Sequence, residues 1–288
     1  DVNPNVVVVL SNGSSVLLPF ADRVRAIVEG WLLGQAGGPA LADVLFGIVN
    51  PSGKLTETIP VYGQDVPSYL HFPGDASGIR YGEGLFVGYR GYDGRQTAVA
   101  FPFGHGLSYT SFAYSDLAAA VAADGRLRIS VTVTNTGKRA GREVVQAYVS
   151  PVTSVVVRVP RELKGFADIE LDPGQAGQVE IMIDTADLTY WSVIDQAWVL
   201  EGGNYTIEVG ASSRDLRLTA VVAVAGNEPR RPLTLQSTMA EALANPHFAE
   251  TAAAMAGVPV DVGSLDPATI RMMADIPLAT VAGFLGQS

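Results

Sequence analysis

The sequence contains no cysteine. That excludes a disulfide framework, a thiolate-bound metal and a cysteine nucleophile, and it leaves the redox compartment unread. Histidine is nearly as scarce: His71, His105 and His247 stand at no ligand-like spacing, so neither a metal nor any other cofactor is expected. Charge is sparse as well, at 17% of the 288 residues, with 19 basic side chains against 29 acidic ones and a net charge of −10. A chain of that balance has no basic footprint for nucleic acid or an anionic membrane surface. No apolar run nears the roughly 18 residues that a membrane helix requires. What remains is an apolar fraction of 48%, ample for packed cores and unlike a disordered chain.

The pattern divides into three blocks, and the expected class is multidomain, a partial α/β unit followed by an all-β sandwich and a helical tail. Residues 1–110 read as α/β. Val6–Leu10 is a continuous β-branched run of the kind buried on both faces of a parallel sheet. From Asp22, the residues Val24, Ile27, Val28, Trp31 and Leu32 recur at helical spacing, and a shorter helix is predicted from Pro39 to Gly47. Lys54–Ile59 reads as the next strand. Residues 60–106 show no sustained period but are rich in glycine, proline and aromatic residues. Long loops of that kind in compact domains are functional or form interfaces.

Residues 111–225 change to period two. Leu127, Ile129, Val131 and Val133 alternate with polar residues, as do Val145, Ala147 and Val149, then Val179, Ile181 and Ile183, then Tyr205, Ile207 and Val209. Short alternating strands between turn signals such as Asn135-Thr-Gly137 and Asp172-Pro-Gly174 predict a β-sandwich. Residues 226–288 open on a Pro-rich connector. Helices are predicted over Thr238–Met255, from Asp266-Pro267 through Met273, and after Pro277. This tail is too small to bury a core of its own and is expected to dock. The chain opens at Asp1 and enters a core-type strand within five residues, without a leader-like segment, which reads as the later part of a longer protein. Localisation is unread.

Most chemical motifs fail their context tests. Gly34-Gln-Ala-Gly-Gly-Pro-Ala40 lacks the Lys-Ser/Thr of a phosphate loop and follows a helical pattern. Ser108 and His105 stand outside any Gly-x-Ser-x-Gly elbow, so His105 reads as a residue of a glycine-bearing corner. Asp65, Asp75, Glu83 and Asp93 are the loop carboxylates available for paired acid–base work. Tyr89, Arg90 and Asp93 sit among aromatics in the stretch Tyr81–Asp93. Aromatic faces beside a few charged groups suit a sugar, and they equally suit a domain interface held by an Arg–carboxylate pair. Trp191 and Trp198 read as core aromatics.

Several strings are specific enough to name a family. Asn3–Leu10, Trp31 with Gly34–Gly38, Ala42–Gly47 with Asn50–Leu55, Tyr81–Asp93 and Phe101-Pro-Phe-Gly-His-Gly-Leu-Ser-Tyr-Thr110 resemble the later part of the α/β sandwich domain of glycoside hydrolase family 3. Val131–Gly137, Glu162–Phe166 and Tyr205–Asp215 resemble the fibronectin type III-like domain that follows it in β-glucosidases. The resemblance implies a retaining exo-glycosidase acting on terminal β-linked glucose or a similar sugar. Its aspartate nucleophile would lie on a separate (β/α)8 barrel, and its glutamate acid/base upstream of the strand at Val6–Leu10. Ser115-Asp116-Leu117 takes no catalytic role. The expected partners are therefore the barrel and a β-glucoside or oligosaccharide, and the chain alone is expected to be inactive. Arg90 first, and after it Tyr89 and Asp93, match a loop near the pocket mouth, and these three are the expected substrate-binding residues. The alternative is a non-catalytic module for carbohydrate binding or subunit association.

Overall fold

The computed structural model describes residues 3, 5–193, 195–227, 233–243, 245, 248, 272 and 274–285. They fold as two compact units. The first takes in the described residues up to Tyr190 together with Val199–Asn227, and the second takes in Trp191–Trp198 and the described residues beyond 227. Among the described residues, no helix is long and apolar enough to cross a membrane.

The first unit opens with a two-stranded parallel sheet, β1 (Val7–Leu10) beside β2 (Ala26–Glu29), with Val7 opposite Ala26 and Leu10 opposite Glu29. The second strand replaces the predicted helix from Asp22. Only Ala21–Arg23 makes a helical turn, of 3₁₀ type. A short apolar run fits either period, and here the partner strand decides between them. The sheet is also not buried on both faces in this chain, since Val7 and Val9 are exposed. Helix α1 (Gly37–Leu45) follows as expected. The predicted strand over Lys54–Ile59 shrinks to β3 (Ile59–Pro60), paired with β4 (Val99–Phe101). Lys54 is drawn elsewhere: its Nζ donates to Gly106 O at 3.0 Å and lies 3.5 Å from Glu143. Between β3 and β4 the long loop holds a 3₁₀ turn at Gly63–Asp65 and a short α-helix, α2 (Tyr89–Gly94).

The sandwich is built from seven strands: β5 (Phe112–Val121), β6 (Leu127–Asn135), β7 (Gly141–Pro151), β8 (Glu162–Leu171), β9 (Ala176–Ile183), and two further strands at Gly203–Ser212 and Asp215–Val224. A hairpin of β10 (Tyr190–Ser192) and β11 (Ala197–Val199) precedes those two, which are therefore β12 and β13. One sheet runs β5-β6-β9 and the other β13-β12-β7-β8. Alternation explains the core, because every second residue of each strand turns inward. Leu127, Ile129, Val131 and Val133 thus meet Val145, Ala147 and Val149, with Ile181, Ile183, Ile207 and Val209 filling between. Asn135 ends β6 fully buried and saturated. Its Nδ2 donates to Arg139 O and Leu171 O, and its Oδ1 accepts from Thr110 Oγ1 and Gly137 N.

Register shifts interrupt the β5–β6, β7–β8 and β12–β13 ladders. On β5, Asp116 lies at φ +53° where the register to β6 slips, and Ser115 Oγ donates to its carboxylate. On β8, Lys164 is the extra residue: Ala147 faces Gly165 but Tyr148 faces Leu163.

The string Phe101–Tyr109 is the joint between the first block and the sandwich. Phe103 O accepts from Ser213 N, and Gly104 O accepts from Gln146 Nε2. Asn50 Oδ1 accepts from Ser108 Oγ and Tyr109 N, while its Nδ2 donates to Ala140 O. Gly104 lies at φ +81°, and a Cβ there would collide with the Gln146 amide. His105 occupies the corner, its ring 5.3 Å from that of Phe101.

In the second unit, α3 (Met239–Leu243) and α4 (Leu278–Leu285) cap each other. Met239 N donates to Ile276 O and Leu278 N to Ser237 O, so each helix start finds its acceptor just ahead of the other. Thr238 and Glu241 form a reciprocal capping box at the first of them. Met239, Ala242, Phe248 and Leu278 cluster, so this segment has a small core of its own, contrary to expectation. Helix prediction beyond Leu243, and from Asp266 through Met273, falls almost wholly outside the described residues. Trp191 and Trp198 correct the sequence reading. They meet edge to face at 5.7 Å, and Trp198 is 67% exposed, so they are surface rather than core aromatics.

Burial, with the Lys54 charge, holds the His105 pKa below its ordinary value, against a smaller opposing pull from Asp215. The unfolded chain therefore takes up a proton as pH falls through about 6.5 while the folded chain does not. Stability contributed by neutral His105 is full above that pH, is lost as pH falls, and levels off below the lowered folded value. Thermal melting between about pH 7.5 and 5 is expected to fall more steeply for the native chain than for His105→Gln; parallel curves would exclude this role.

Candidate functional site

The loop between β3 and β4 carries the candidate residues, and two kinds of restraint fix it. Arg95 Nη2 donates to Asp65 O at 2.7 Å, pulling the start of the loop against α2. Gly91 lies so close to Phe86 O that a Cβ would collide with it, and Tyr92 beside it is buried. The sequence places Tyr89, Arg90 and Asp93 within five positions, and one short helix brings all three to the sandwich.

Asp93 is the most deeply set. Its side chain is 4% exposed, with Oδ2 3.1 Å from Arg161 Nη1 and Oδ1 3.0 Å from Arg214 Nε. Both arginines have further acceptors. Arg161 Nε reaches Glu208 Oε2 at 2.9 Å, and Arg214 Nη2 donates to Thr97 O. Tyr89 accepts from Leu163 N at its hydroxyl, 2.8 Å away, and stacks on Phe103 with ring centroids 4.7 Å apart. Tyr148 meets the same ring edge-on.

Arg90 behaves differently. Its Nη2 lies 3.1 Å from Glu162 Oε1, and its side chain keeps 31% exposure. Beside this ion pair, its guanidinium lies 6.0 Å from the centroid of the Tyr89 ring, and a guanidinium carries five donors in all. Glu162 Oε2 is shared by Lys164 at 3.2 Å and Arg158 at 4.0 Å. Sequence reasoning found one half of this arrangement and missed Arg158, Arg161, Glu162, Lys164 and Arg214. The adjacent opposite charges Arg161-Glu162 at the head of a strand were the available signal.

The remaining loop carboxylates do not pair with one another. Asp75 closes a turn on Ser77, whose hydroxyl and amide both donate to it and hold its pKa below the usual carboxylate range. Glu83 Oε2 is shielded from solvent with no hydrogen-bond partner among the described residues. Asp116 stays in its exposed bulge beside Ser115. No group of three His, Asp or Glu among the described residues could hold a metal. The first block also exposes large apolar side chains, including Leu32, Phe46, Ile48, Leu70, Tyr81 and Leu107.

Comparisons with known proteins give a consistent answer. The Glycosyl hydrolase family 3 C-terminal domain matches residues 1–109, and a Fibronectin type III-like domain matches residues 143–213. An Exo-alpha-(1->6)-L-arabinopyranosidase of Bifidobacterium breve is 44% identical, covering 99% of this chain and 38% of the relative. Thermostable beta-glucosidase B of Acetivibrio thermocellus is 41% identical, with 99% and 39% covered. The solved GH3 beta-glucosidase of Bifidobacterium adolescentis superposes with a TM-score of 0.79 at 45% identity, over 87% of this chain and 37% of that one. A beta-glucosidase from Streptomyces venezuelae, solved in complex with D-glucose, gives 0.75 at 41% identity over 77% and 29%. The chain thus spans less than two fifths of the length of these curated relatives.

Replacing Arg161 by Ala would leave the Asp93 carboxylate with Arg214 alone in a nearly dry site. The expected cost is roughly 1–3 kcal/mol of unfolding free energy, measured by urea denaturation. A double substitution with Asp93→Asn is expected to cost less than the two single losses added together.

Proposed function

Because the chain belongs to glycoside hydrolase family 3, carrying its C-terminal domain and a fibronectin type III-like domain, we propose that it is the C-terminal segment of a retaining exo-acting β-glucosidase. The observation that carries this reading is the unfinished first block. A two-stranded parallel sheet with Val7 and Val9 exposed, and with Leu32, Phe46, Ile48, Leu70 and Leu107 bare in the same block, has far more apolar surface than a closed domain leaves uncovered. The partner that fits is the rest of the α/β domain and the (β/α)8 barrel. The desolvated, unanswered oxygen of Glu83 supports the same arrangement, since a donor from that partner would complete it.

The chemistry asks for a pair of free carboxyl groups, and the most deeply set carboxylates among the described residues are already engaged. Retention needs two carboxyl groups about 5–5.5 Å apart, one to attack the anomeric carbon and one to protonate the leaving oxygen. Asp93 is neutralised by two guanidiniums, Glu143 by Lys54 with a hydrogen bond from Tyr114, and Glu162 by three cations. None of these three is free for that work, and on this reading nucleophile and acid/base lie outside this segment. Its own contribution is a wall of the pocket, with Arg90 donating to hydroxyls of the leaving-group sugar. Tyr89 and Asp93 hold α2 in place behind it.

A second reading, a non-catalytic carbohydrate-binding module, is favoured by one observation: the exposed Trp191–Trp198 pair offers aromatic faces to a sugar ring.

Two measurements test the enzyme reading. The purified 288-residue chain should cleave no aryl β-glucoside above the buffer rate, while the same chain carried by the complete enzyme should; turnover by the chain alone overturns the assignment. In the complete enzyme, Arg90→Ala should lower kcat/KM for a disaccharide about tenfold more than for an aryl glucoside, the size of one charge-assisted hydrogen bond. Equal losses on both substrates would make Arg90 a purely structural residue.

A further inference from the structure

Three consecutive residues at the head of β8 grip three residues of α2. Arg161 takes the Asp93 carboxylate at 3.1 Å, Glu162 takes the Arg90 guanidinium at 3.1 Å, and the Leu163 amide donates to the Tyr89 hydroxyl at 2.8 Å. Two of the three contacts bind groups that are otherwise engaged, in salt bridges or ring stacking. The middle one binds the guanidinium of Arg90, whose side chain keeps 31% exposure. From this geometry we propose that Glu162 is a positioning residue. Through Arg90, the fibronectin-like sandwich would then set how well the enzyme discriminates among leaving groups.

The inference rests on Arg90 facing the leaving-group sugar, as proposed above; the grip itself is independent of that reading. Lys164 makes the grip possible. As the extra residue of the β8 bulge it breaks the ladder between Gly165 and Leu163. The Leu163 N–H turns to Tyr89, and Glu162 stands at the strand's end opposite Val149. The two oxygens of Glu162 then divide their work, Oε1 lying against Arg90 and Oε2 against Lys164 and Arg158. Three cations around one carboxylate leave an excess of positive charge. Without that carboxylate Arg90 would lose its anchor and be repelled by its neighbours. A long flexible side chain released in this way would have to be ordered by the substrate itself, and that cost appears in KM.

The test uses the complete enzyme, with disaccharide and aryl-glucoside kinetics for E162Q, R90A and the double variant. E162Q keeps the side chain's size and removes its charge. It is expected to shift the disaccharide-to-aryl ratio of kcat/KM by about threefold or more in the same direction as R90A, mostly through disaccharide KM. The double variant should discriminate no worse than R90A alone, as expected for two residues acting through one contact. If R90A shifts the ratio and E162Q does not, the positioning role is overturned while the reading of Arg90 stands. If R90A leaves the ratio unchanged, the leaving-group reading fails, and this inference with it. Should E162Q unfold at assay temperature, K164M supplies the measurement. Relieving the carboxylate of one competing cation should hold or raise disaccharide selectivity, and a loss matching R90A would overturn the proposal.

Discussion

A carboxylate withdrawn from water must find cations, and Asp93 finds both of its cations in another part of the chain. Arg161 precedes the first residue of β8 and Arg214 lies in the turn between β12 and β13, 68 and 121 positions along. Among the described residues the first block has no comparable core of its own to set the position of α2. Its two sheets, β1-β2 and β3-β4, have two strands each, and many of its large apolar side chains are exposed. Orientation is therefore borrowed from the sandwich, whose interior is closed. Ion pairs of this kind add little net stability over a well-packed apolar contact, but they fix geometry, because any other placement strands a charge.

The joint at Phe101–Tyr109 follows the same logic with neutral groups. Backbone carbonyls of Phe103 and Gly104 are taken by Ser213 and Gln146, and the Tyr148 hydroxyl in turn donates to the Gln146 amide oxygen at 2.7 Å. Glycine is required at position 104 because the Gln146 amide occupies the space a side chain would use. A string that looks like a motif for chemistry is here a backbone docking surface. The two glycines around His105 let it run this close to its neighbours, Gly104 against Gln146 and Gly106 against the Gly53 carbonyl.

The sandwich was legible in the sequence because alternation is a local signal and each strand's inward face is apolar. The strands around Ile129, Ala147, Ile181 and Ile207 could be marked without knowledge of their partners, and all four residues lie in one core. The segment from Asp22 was not legible, because Val24, Ile27 and Val28 satisfy a helical stripe and a strand equally well, and only the neighbouring β1 settles which forms. Trp198 misled for a related reason. Its size argues for burial, yet a hairpin strand has an outer face, and composition does not say which way that face points. In the candidate site, Tyr89, Arg90 and Asp93 could be grouped because one helical turn brings them together. Leu163 and Arg161, which hold Tyr89 and Asp93, stand 74 and 68 residues away on a different domain, a pairing that no local pattern records.

The bulge at Lys164 also ties the contact with α2 to the length of the chain. Side chains on a strand alternate, so a ladder with one residue fewer would carry Glu162 and its neighbours round to opposite faces. The contact is therefore specified twice, once by the identity of Arg161, Glu162 and Leu163 and once by a count of residues along β8. A homologue could keep all three letters and still lose the contact through a single deletion.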